Sequence, residues 1–227
     1  MHIKTAITSV NGGEEIIRGQ KLKDLIEKHT FVEAIFLLLK GELPDKNQTR
    51  MLNAMFTSAI DHGPAVASAL TARVVVSAKN SMHTAIAAGI LAMGDLHGGA
   101  IEGAAKFFQE QVNTLDLEAL LKDLKAKKQR VLGYGHKVLE HDHRADTLFT
   151  IAKETGIYGK HCAFAEAVRE QLKTISSRPL PLNIDGAMGA ILMDMGFDWR
   201  MTKGVFIIAR VPGLVDALRG VWQMQCL

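Results

Sequence analysis

The stretch TFVEAIFLLLKGELPD, residues 30–45, decides the fold class, because it holds the full signal for one helix and the start of the next. Thr30 is a residue type that caps helix N-termini, and apolar residues follow it as far as Lys40. Gly41 then stops this helix, Pro44 prevents its continuation, and Asp45 caps a longer one. Two helices joined by a short polar loop are therefore predicted here.

Apolar residues recur at helical spacing through most of the remaining chain. The predicted helices cover about residues 21–29, 45–62, 65–79, 81–93, 115–127, 146–155, 162–175, 187–195 and 198–222, with another beginning near glycines 98, 99 and 103. Small residues in 65–79 and 81–93 predict close packing of buried helices, the second capped by Ser81. Strands and helices do not alternate, which argues against a doubly wound sheet.

The first twenty residues read differently, as a β-hairpin. The segments Ile7-Thr8-Ser9-Val10 and Glu15-Ile16-Ile17-Arg18 flank Asn11-Gly12-Gly13, and Asn-Gly supplies the positive φ angles of a tight turn. We therefore expect an all-α protein with a small N-terminal hairpin.

The bulk composition excludes several functional classes. Of 227 residues, 48% are hydrophobic and 22% are charged, as in folded globular proteins. The formal net charge is only +3, so nothing resembles a nucleic-acid footprint. A small site for anions fits better, and one basic cluster is formed by Lys125, Lys127, Lys128 and Arg130.

The two cysteines, Cys162 and Cys226, lack metal-ligand spacing and indicate a reducing compartment. The longest apolar run, residues 85–93, is too short to span a bilayer, and the N-terminus lacks the apolar core of a signal peptide. These features predict a cytoplasmic protein with no membrane association.

Two histidines lie beside paired glycines between helices. His97 precedes Gly98-Gly99, where backbone N–H groups of the next helix favour negative charge, so that a neutral imidazole can donate to an oxyanion. His136 ends the segment Gly133-Tyr134-Gly135-His136. The basic cluster at residues 125–130 precedes this segment and can supply positive charge for phosphate groups. The alternatives are a capping or packing histidine at 97 and a plain turn with a solvated helix end at 133–136.

Asp185, in Asn183-Ile184-Asp185-Gly186, is a candidate general base beside an apolar wall, or simply a helix N-cap. His62, in Asp61-His62-Gly63-Pro64, is either a ligand or a charge that compensates a helix C-terminus.

Two arginines, Arg144 and Arg210, suit bidentate binding of carboxylates if the loops converge. His141, Asp142 and His143, with His136, suggest a metal site, but their spacing matches no zinc framework and Arg144 adjoins them. We therefore expect no metal.

Taken in order, these motifs resemble the citrate synthase superfamily. The resemblance covers the opening stretch 7–44, Leu-His-Gly-Gly-Ala at 96–100, Gly-Tyr-Gly-His at 133–136 followed by Arg144, Asn-Ile-Asp at 183–185 and Ala-Arg-Val-Pro-Gly at 209–213. Within the superfamily, Asp-His-Gly-Pro-Ala-Val at 61–66 looks most like citryl-CoA lyase and the C-terminal module of ATP-citrate lyase.

The resemblance implies a role for each matching residue. Asp185 would move the proton on the acetyl-CoA methyl carbon, His97 would stabilise the enol or enolate, and His136 would serve the oxaloacetate carbonyl or citryl hydroxyl. The residues implied to hold carboxylates are His62, Arg144 and Arg210. Those implied to contact coenzyme A are Val131, Leu132, Gly133, Tyr134 and Lys137.

The resemblance also implies a large helical domain, residues 1–97 and 186–227, and a smaller mobile domain, residues 98–185, that closes over the site. It implies a homodimer, with higher assembly open, small-molecule substrates with coenzyme A as co-substrate, and a possible citrate–CoA ligase partner.

Citryl-CoA cleavage to acetyl-CoA and oxaloacetate is the favoured function. The first alternative is citrate or methylcitrate synthase, since the same groups serve both directions. The second is a truncated module that binds coenzyme A without turnover, because related proteins usually continue past Leu227 with a tail bearing a further arginine.

Overall fold

The computed structural model describes residues 5–95, 97–135 and 141–225, with residues 222–225 described by their backbone only. Three short strands are followed by helices throughout, which confirms the predicted fold class. The strands are β1 (Thr8–Asn11), β2 (Glu14–Ile17) and β3 (Gln20–Lys21). The helices are α1 (Leu22–Lys28), α2 (Phe31–Lys40), α3 (Lys46–Ala59), α4 (Ala67–Ser77), α5 (Met82–Leu91), α6 (Ala100–Gln111), α7 (Leu117–Ala126), α8 (His143–Glu154), α9 (Lys160–Ile175), α10 (Ile184–Asp194) and α11 (Thr202–Gln225).

The N-terminal strands form an antiparallel sheet in the order β1-β2-β3. The predicted hairpin is confirmed and extended by β3. Its turn differs by one position from the expectation, because the positive φ angles fall on Gly12 (+60°) and Gly13 (+86°) and Asn11 ends β1.

The helix signals around residues 30–45 act as predicted. The Thr30 side chain accepts a hydrogen bond from the Glu33 backbone N–H, and the Glu33 carboxylate accepts one from the Thr30 N–H. Gly41 ends α2 with φ +85°. Asp45 then accepts a bond of 2.8 Å from the Gln48 N–H at the start of α3.

The chain forms two compact units, residues 1–53 and residues 54–227. The candidate site residues that the structure describes all lie in the second unit. The division into 1–97 with 186–227 and 98–185 stays a prediction. Among the described residues, no helix is long and apolar enough to cross a membrane.

Helix α10 is the centre of the second unit. Every residue from Gly186 to Met193 is buried, and α6, α8 and α9 pack around the helix. A helix that is apolar on all sides belongs inside the core, so its position is fixed by packing from several directions. Its first turn carries Asp185.

Helices α4 and α5 pack against each other, as their small residues predict. A Cβ built on Gly89 of α5 would lie 2.9 Å from the Ser68 carbonyl oxygen and 3.2 Å from the Ala72 Cβ. Ser81 occupies the N-cap position of α5, but its side chain makes no capping hydrogen bond. Only one face of each helix is buried, whereas both helices were expected to be buried.

Several helix boundaries differ from the prediction by two or three residues, and capping residues explain two of these differences. Helix α8 begins at His143 because Asp142 caps it, and α10 begins at Ile184 because Asn183 caps it. The last predicted helix is divided into a 3-10 turn at Trp199–Met201 and α11.

We expect Gly89→Ala to destabilise the protein by about 1–3 kcal/mol, because the added methyl group forces α4 and α5 apart. Gly204→Ala in α11 is the matched control, since a Cβ there meets nothing within 4 Å. It should stabilise the fold by up to about 1 kcal/mol through helix propensity. Urea unfolding of both variants measures the difference, and stabilisation by Gly89→Ala would contradict the close contact.

Candidate active site

The Gly-Tyr-Gly segment and the Asn-Ile-Asp segment are hydrogen-bonded to each other. The Asn183 backbone N–H donates to the Gly133 carbonyl at 3.0 Å, and the Gly135 N–H donates to the Pro181 carbonyl at 2.7 Å. The Asn183 side-chain amide also donates to the Gly135 carbonyl at 2.9 Å. The residues between them pair as an antiparallel bridge. Two of the segments singled out from the sequence therefore meet.

Two glycines permit this contact. Gly133 has φ +87°, and a Cβ on it would lie 2.7 Å from the Gly186 Cα. A Cβ on Gly186 would lie 2.4 Å from the Gly133 carbonyl oxygen. Because real Cβ atoms do not approach so closely, the loops can touch only when both positions lack side chains.

Asp185 is the central acidic group of the site. Its Oδ1 atom is shut off from solvent and has no hydrogen-bond partner among the described residues. Asn183 caps α10 by accepting from the Gly186 N–H at 3.1 Å, so the alternative in which Asp185 is the cap is wrong. A carboxylate that helix capping does not explain is available for chemistry.

Burial raises the pKa of Asp185 from its ordinary 3.8 to about 6. The positive charges of Arg144 and Arg210 oppose that rise, and the negative charge of Asp142 adds to it. A pKa near 6 leaves both the acid and the carboxylate accessible near neutral pH, which suits a group that must accept and return a proton.

Arg144 is held by Asp142 through a two-bond pair. Its Nε donates to Asp142 Oδ1 and its Nη2 to Asp142 Oδ2, both at 2.9 Å. The remaining terminal nitrogen, Nη1, lies 3.4 Å from His62 Nδ1. The structure therefore brings together two of the predicted carboxylate-binding residues, although they are 82 positions apart in the sequence.

Burial raises the pKa of Asp142, but the hydrogen bonds and charge of Arg144, together with the Ile184 N–H, hold it below its ordinary value. Asp142 is 2% exposed, and its Oδ2 accepts from the Ile184 N–H at 3.0 Å. This carboxylate thus joins Arg144 to the first residue of α10.

Arg210 is only 3% exposed. Its Nε donates to the Ala59 carbonyl at 2.7 Å, and its guanidinium lies 5.1 Å from the centre of the Phe206 ring. Its Nη1 is buried and has no hydrogen-bond partner within the described part of the chain. A buried guanidinium with an unused donor is well suited to a carboxylate ligand.

Burial lowers the pKa of Arg210. Asp61 and Asp185 act in the opposite direction, whereas Arg144 adds to the lowering. The two guanidinium groups and Asp185 are therefore close enough to influence one another electrostatically.

The loop that carries His97 is linked to Arg210 by Phe206, whose ring contacts both. Its Nε2 lies 2.7 Å from the Ser68 hydroxyl, which is buried in α4 and fixes the orientation of the imidazole. A Cβ on Gly98 would lie 2.6 Å from the Phe206 ring, so the loop that carries His97 rests on the ring beside Arg210. The N-cap of α6 is Gly99, so His97 does not cap that helix.

The Tyr134 side chain points into the helices. Its hydroxyl donates to the Ala165 carbonyl at 2.8 Å, and its ring meets Phe108 edge-on. Leu132 lies against Gly103 of α6, where a Cβ would be 2.3 Å from its Cδ1. The assignment of residues 131–134 to coenzyme A stays a prediction, and from Tyr134 the contact would come through the backbone.

His136 and Lys137 lie outside the described residues, so their predicted roles stay predictions. The basic run before the loop faces solvent: Lys127 pairs with Asp123 at 2.7 Å, and Lys125 donates to the Ile175 carbonyl at 2.6 Å. No group of three or more metal-ligating side chains gathers within the described ranges.

Three residues that support the site were not predicted from the sequence: Ser68, Asp142 as the partner of Arg144, and Phe206. Asp142 had a usable signal, because an aspartate two positions before an arginine at a helix start can cap the helix and bind the arginine. Ser68 and Phe206 had none, since only the fold brings them beside His97 and Arg210.

We expect Asp185→Asn to stabilise the protein at neutral pH. Between pH 3.8 and 6 the folded state binds more protons than the unfolded state, so the free energy of unfolding falls as pH rises. Above pH 6 the carboxylate is ionised in both states, and this destabilisation no longer changes with pH. The variant should gain about 1–3 kcal/mol of unfolding free energy at pH 7.5 and about a third of that at pH 4.5.

Urea unfolding at both pH values measures this gain. Asp123→Asn is the control, because Asp123 is exposed on α7 and should change stability by less than about 0.5 kcal/mol at either pH. A destabilising Asp185→Asn at pH 7.5 would contradict the burial argument.

The family model of the citrate synthase C-terminal domain matches residues 1–59 and 45–219 of this chain. Citrate synthase 2 of Bacillus subtilis is 30% identical over 190 residues, which are 82% of this chain and 51% of that protein. ATP-citrate synthase beta chain protein 1 of Oryza sativa is 28% identical over 94% of this chain and 38% of its own length. The chain thus spans about half the length, or less, of these curated relatives.

Among solved structures, citryl-CoA lyase from Hydrogenobacter thermophilus superposes with a TM-score of 0.91 at 46% identity, covering 96% of this chain and 86% of that one. ATP citrate lyase from Methanothrix soehngenii, in complex with citrate and coenzyme A, superposes with a TM-score of 0.91 at 26% identity, over 99% of this chain and 39% of that one. Since the family model, the fold and the site motifs agree along the chain, this protein belongs to the citrate synthase family.

Proposed function

We propose that this protein is a citryl-CoA lyase-type enzyme that cleaves citryl-CoA to acetyl-CoA and oxaloacetate. The observation that carries the proposal is the Asp185 carboxyl group near Arg144 and Arg210, with one buried oxygen that no described residue partners. Support comes from the citryl-CoA lyase of Hydrogenobacter thermophilus and from the ATP citrate lyase bound to citrate and coenzyme A.

The arginines would bind the carboxylates of the four-carbon unit. Arg210 has a buried donor, Nη1, that is unpartnered in the described part of the chain, and Arg144 is oriented by Asp142 with its Nη1 beside His62. Asp142 already occupies Arg144 Nε and Nη2, and the Ala59 carbonyl occupies Arg210 Nε. Each arginine would therefore bind a carboxylate through its Nη1, by charge-assisted hydrogen bonds. Such binding would hold the substrate so that the bond to be broken lies between the carboxylate sites and Asp185.

Cleavage removes the proton of the citryl hydroxyl, and His136 is the residue that we propose to accept it. The electrons of that O–H bond form the carbonyl of oxaloacetate while the carbon–carbon bond breaks. The electron pair of the broken bond becomes the enolate of acetyl-CoA. Asp185, in its protonated form, then gives a proton to the enolate carbon and completes the methyl group.

His97 would stabilise the enolate oxygen. Ser68 and the contact of Gly98 with Phe206 hold the imidazole loop in place, so its donor is oriented before charge develops. The reverse reaction uses the same groups, with Asp185 as the base that removes a methyl proton. Synthesis of citrate or methylcitrate is thus the alternative direction, which the relative named citrate synthase 2 represents.

Coenzyme A would lie against residues 131–134, with Lys137 as a further contact. ATP-citrate synthase chains among the relatives also support a citrate–CoA ligase as a partner that supplies citryl-CoA. We further propose that residues 98–185 close over the bound substrate and that the protein acts in the cytoplasm.

The test is to incubate the purified protein with citryl-CoA and to quantify acetyl-CoA by chromatography and oxaloacetate through coupled NADH oxidation. Wild type should release both products in equal amounts. Asp185→Asn should lower the cleavage rate by about 10²–10⁴-fold, because it removes the acid that protonates the enolate. Asp123→Asn, on the exposed surface of α7, should keep the wild-type rate.

Robust citrate formation from acetyl-CoA and oxaloacetate without cleavage of citryl-CoA would move the assignment to the synthase alternative. Binding of coenzyme A by calorimetry, with no turnover in either direction, would instead support a non-catalytic module. A wild-type rate in Asp185→Asn would remove Asp185 from the chemistry.

We also propose a homodimer, which the exposed apolar residues of α4 and α5 support. Leu70 and Val74 lie on one face of α4 and are 52% and 59% exposed, and Leu91 at the end of α5 is 86% exposed. Large apolar side chains grouped on neighbouring helices are typical of protein interfaces.

Light scattering should therefore give twice the chain mass of 24.8 kDa, and Leu70→Glu should shift the protein to monomers because it places a charge in the interface. Leu115→Glu is the control, as Leu115 is fully exposed in the loop before α7. A monomeric wild type would contradict the dimer.

A further inference from the structure

We propose that Asp142 is a positioning residue, whose buried carboxylate joins Arg144 to the first turn of α10 so that the carboxylate-binding arginine and Asp185 keep a fixed spatial relation. This inference rests on the proposed function. It assigns a role to a residue that the sequence placed in a candidate metal cluster.

The Asp142 carboxylate accepts four hydrogen bonds. Oδ1 accepts from the Arg144 backbone N–H at 3.2 Å and from its Nε at 2.9 Å. Oδ2 accepts from Arg144 Nη2 at 2.9 Å and from the Ile184 N–H at 3.0 Å. Both oxygens are therefore used twice, and one of them crosses to a different helix.

The local motif Asp-X-Arg occurs twice in the sequence, at 142–144 and 198–200. Asp198 and Arg200 repeat the same Asp-X-Arg arrangement: Asp198 Oδ1 accepts from the Arg200 N–H at 3.0 Å and from its Nε at 2.9 Å, and Oδ2 pairs with Nη2. This second pair is exposed, with 36% of the aspartate side chain and 71% of the arginine side chain accessible to solvent. The motif thus forms from local geometry without any site.

What distinguishes the first copy is its burial and its bond to α10. The Asp142 side chain is 1% exposed, and Arg144 is 26% exposed. The Ile184 N–H is one of the first in α10, where helix geometry leaves donors without intrahelical acceptors. By accepting that donor, Asp142 fixes the helix start immediately before Asp185.

The pairing with Asp142 also determines which nitrogen of Arg144 is available to a ligand. Two of its donor nitrogens are committed to Asp142, whereas Nη1 points toward His62 at 3.4 Å. An arginine without such a pairing has many rotamers, and ordering it on binding costs conformational entropy. Asp142 removes that cost before a substrate carboxylate arrives.

The experiment compares Asp142→Asn with Asp198→Asn, which removes the matched exposed pairing. The amide keeps the shape of the carboxylate and one acceptor oxygen for the Ile184 N–H, but it cannot accept both guanidinium bonds. Calorimetry measures binding of oxaloacetate and of coenzyme A separately, and the citryl-CoA assay gives KM and kcat. Circular dichroism and thermal unfolding confirm that each variant is folded.

We expect Asp142→Asn to weaken oxaloacetate binding by about tenfold or more, equal to about 1.4 kcal/mol, and to raise KM for citryl-CoA. Coenzyme A affinity should change by less than about twofold, and Asp198→Asn should leave both affinities at the wild-type level. In an Arg144→Gln background, Asp142→Asn should add less than about twofold, because a residue that acts through Arg144 has no effect without it.

Several outcomes would overturn the inference. These are wild-type oxaloacetate binding in Asp142→Asn, an equal loss of oxaloacetate and coenzyme A affinity, or a full additional loss in the Arg144→Gln background. If Asp142→Asn does not fold, Asp142→Glu keeps the charge and displaces the oxygens by one methylene. It should also weaken oxaloacetate binding, and unchanged binding would again overturn the role.

Failure of the proposed function looks different. A wild-type protein that neither binds oxaloacetate nor cleaves citryl-CoA would refute that function. A wild type that does both while Asp142→Asn matches it would refute only the role of Asp142.

Discussion

The site depends on a balance of charges held out of water. Burying an isolated carboxylate or guanidinium is costly, and the cost falls only when opposite charges and hydrogen bonds surround it. Here Asp142 accepts hydrogen bonds from Arg144 and the α10 backbone, whereas Asp185 and Arg210 each keep a buried atom that has no partner among the residues described. The Arg210 donor is suited to a carboxylate ligand, whereas the Asp185 oxygen is suited to a group that donates or exchanges a proton.

A second constraint is close backbone contact. Gly133 and Gly186 allow the loop after α7 to lie directly on the start of α10, and Gly98 allows the His97 loop to lie on Phe206. The first contact brings a loop against the buried helix α10, and the second brings a loop against the buried face of α11. The candidate residues Asp185 and Arg210 are therefore carried by packed helices, α10 and α11, and not by loops.

Much of the fold could be predicted from local signals. The helix starts at Thr30 and Asp45, the stop at Gly41 and the N-terminal hairpin depend on residues close together in sequence, and the structure confirms them. The starts of α8 and α10 were misplaced by about three residues, because the capping side chains of Asp142 and Asn183 precede the apolar pattern. Apolar spacing detects a helix but does not mark its first turn.

The sequence by itself determined the helical class and the family, and it supplied the candidate site residues, because residue types and their order carry that information. Only the tertiary structure decided which groups meet and in what state. Asp185 has its raised pKa because the packing of α10 removes water from one carboxylate oxygen. Asp142 serves Arg144 and α10 together because helices far apart in sequence meet at that point. Burial and electrostatic coupling arise from distances in space, which spacing along the chain does not specify.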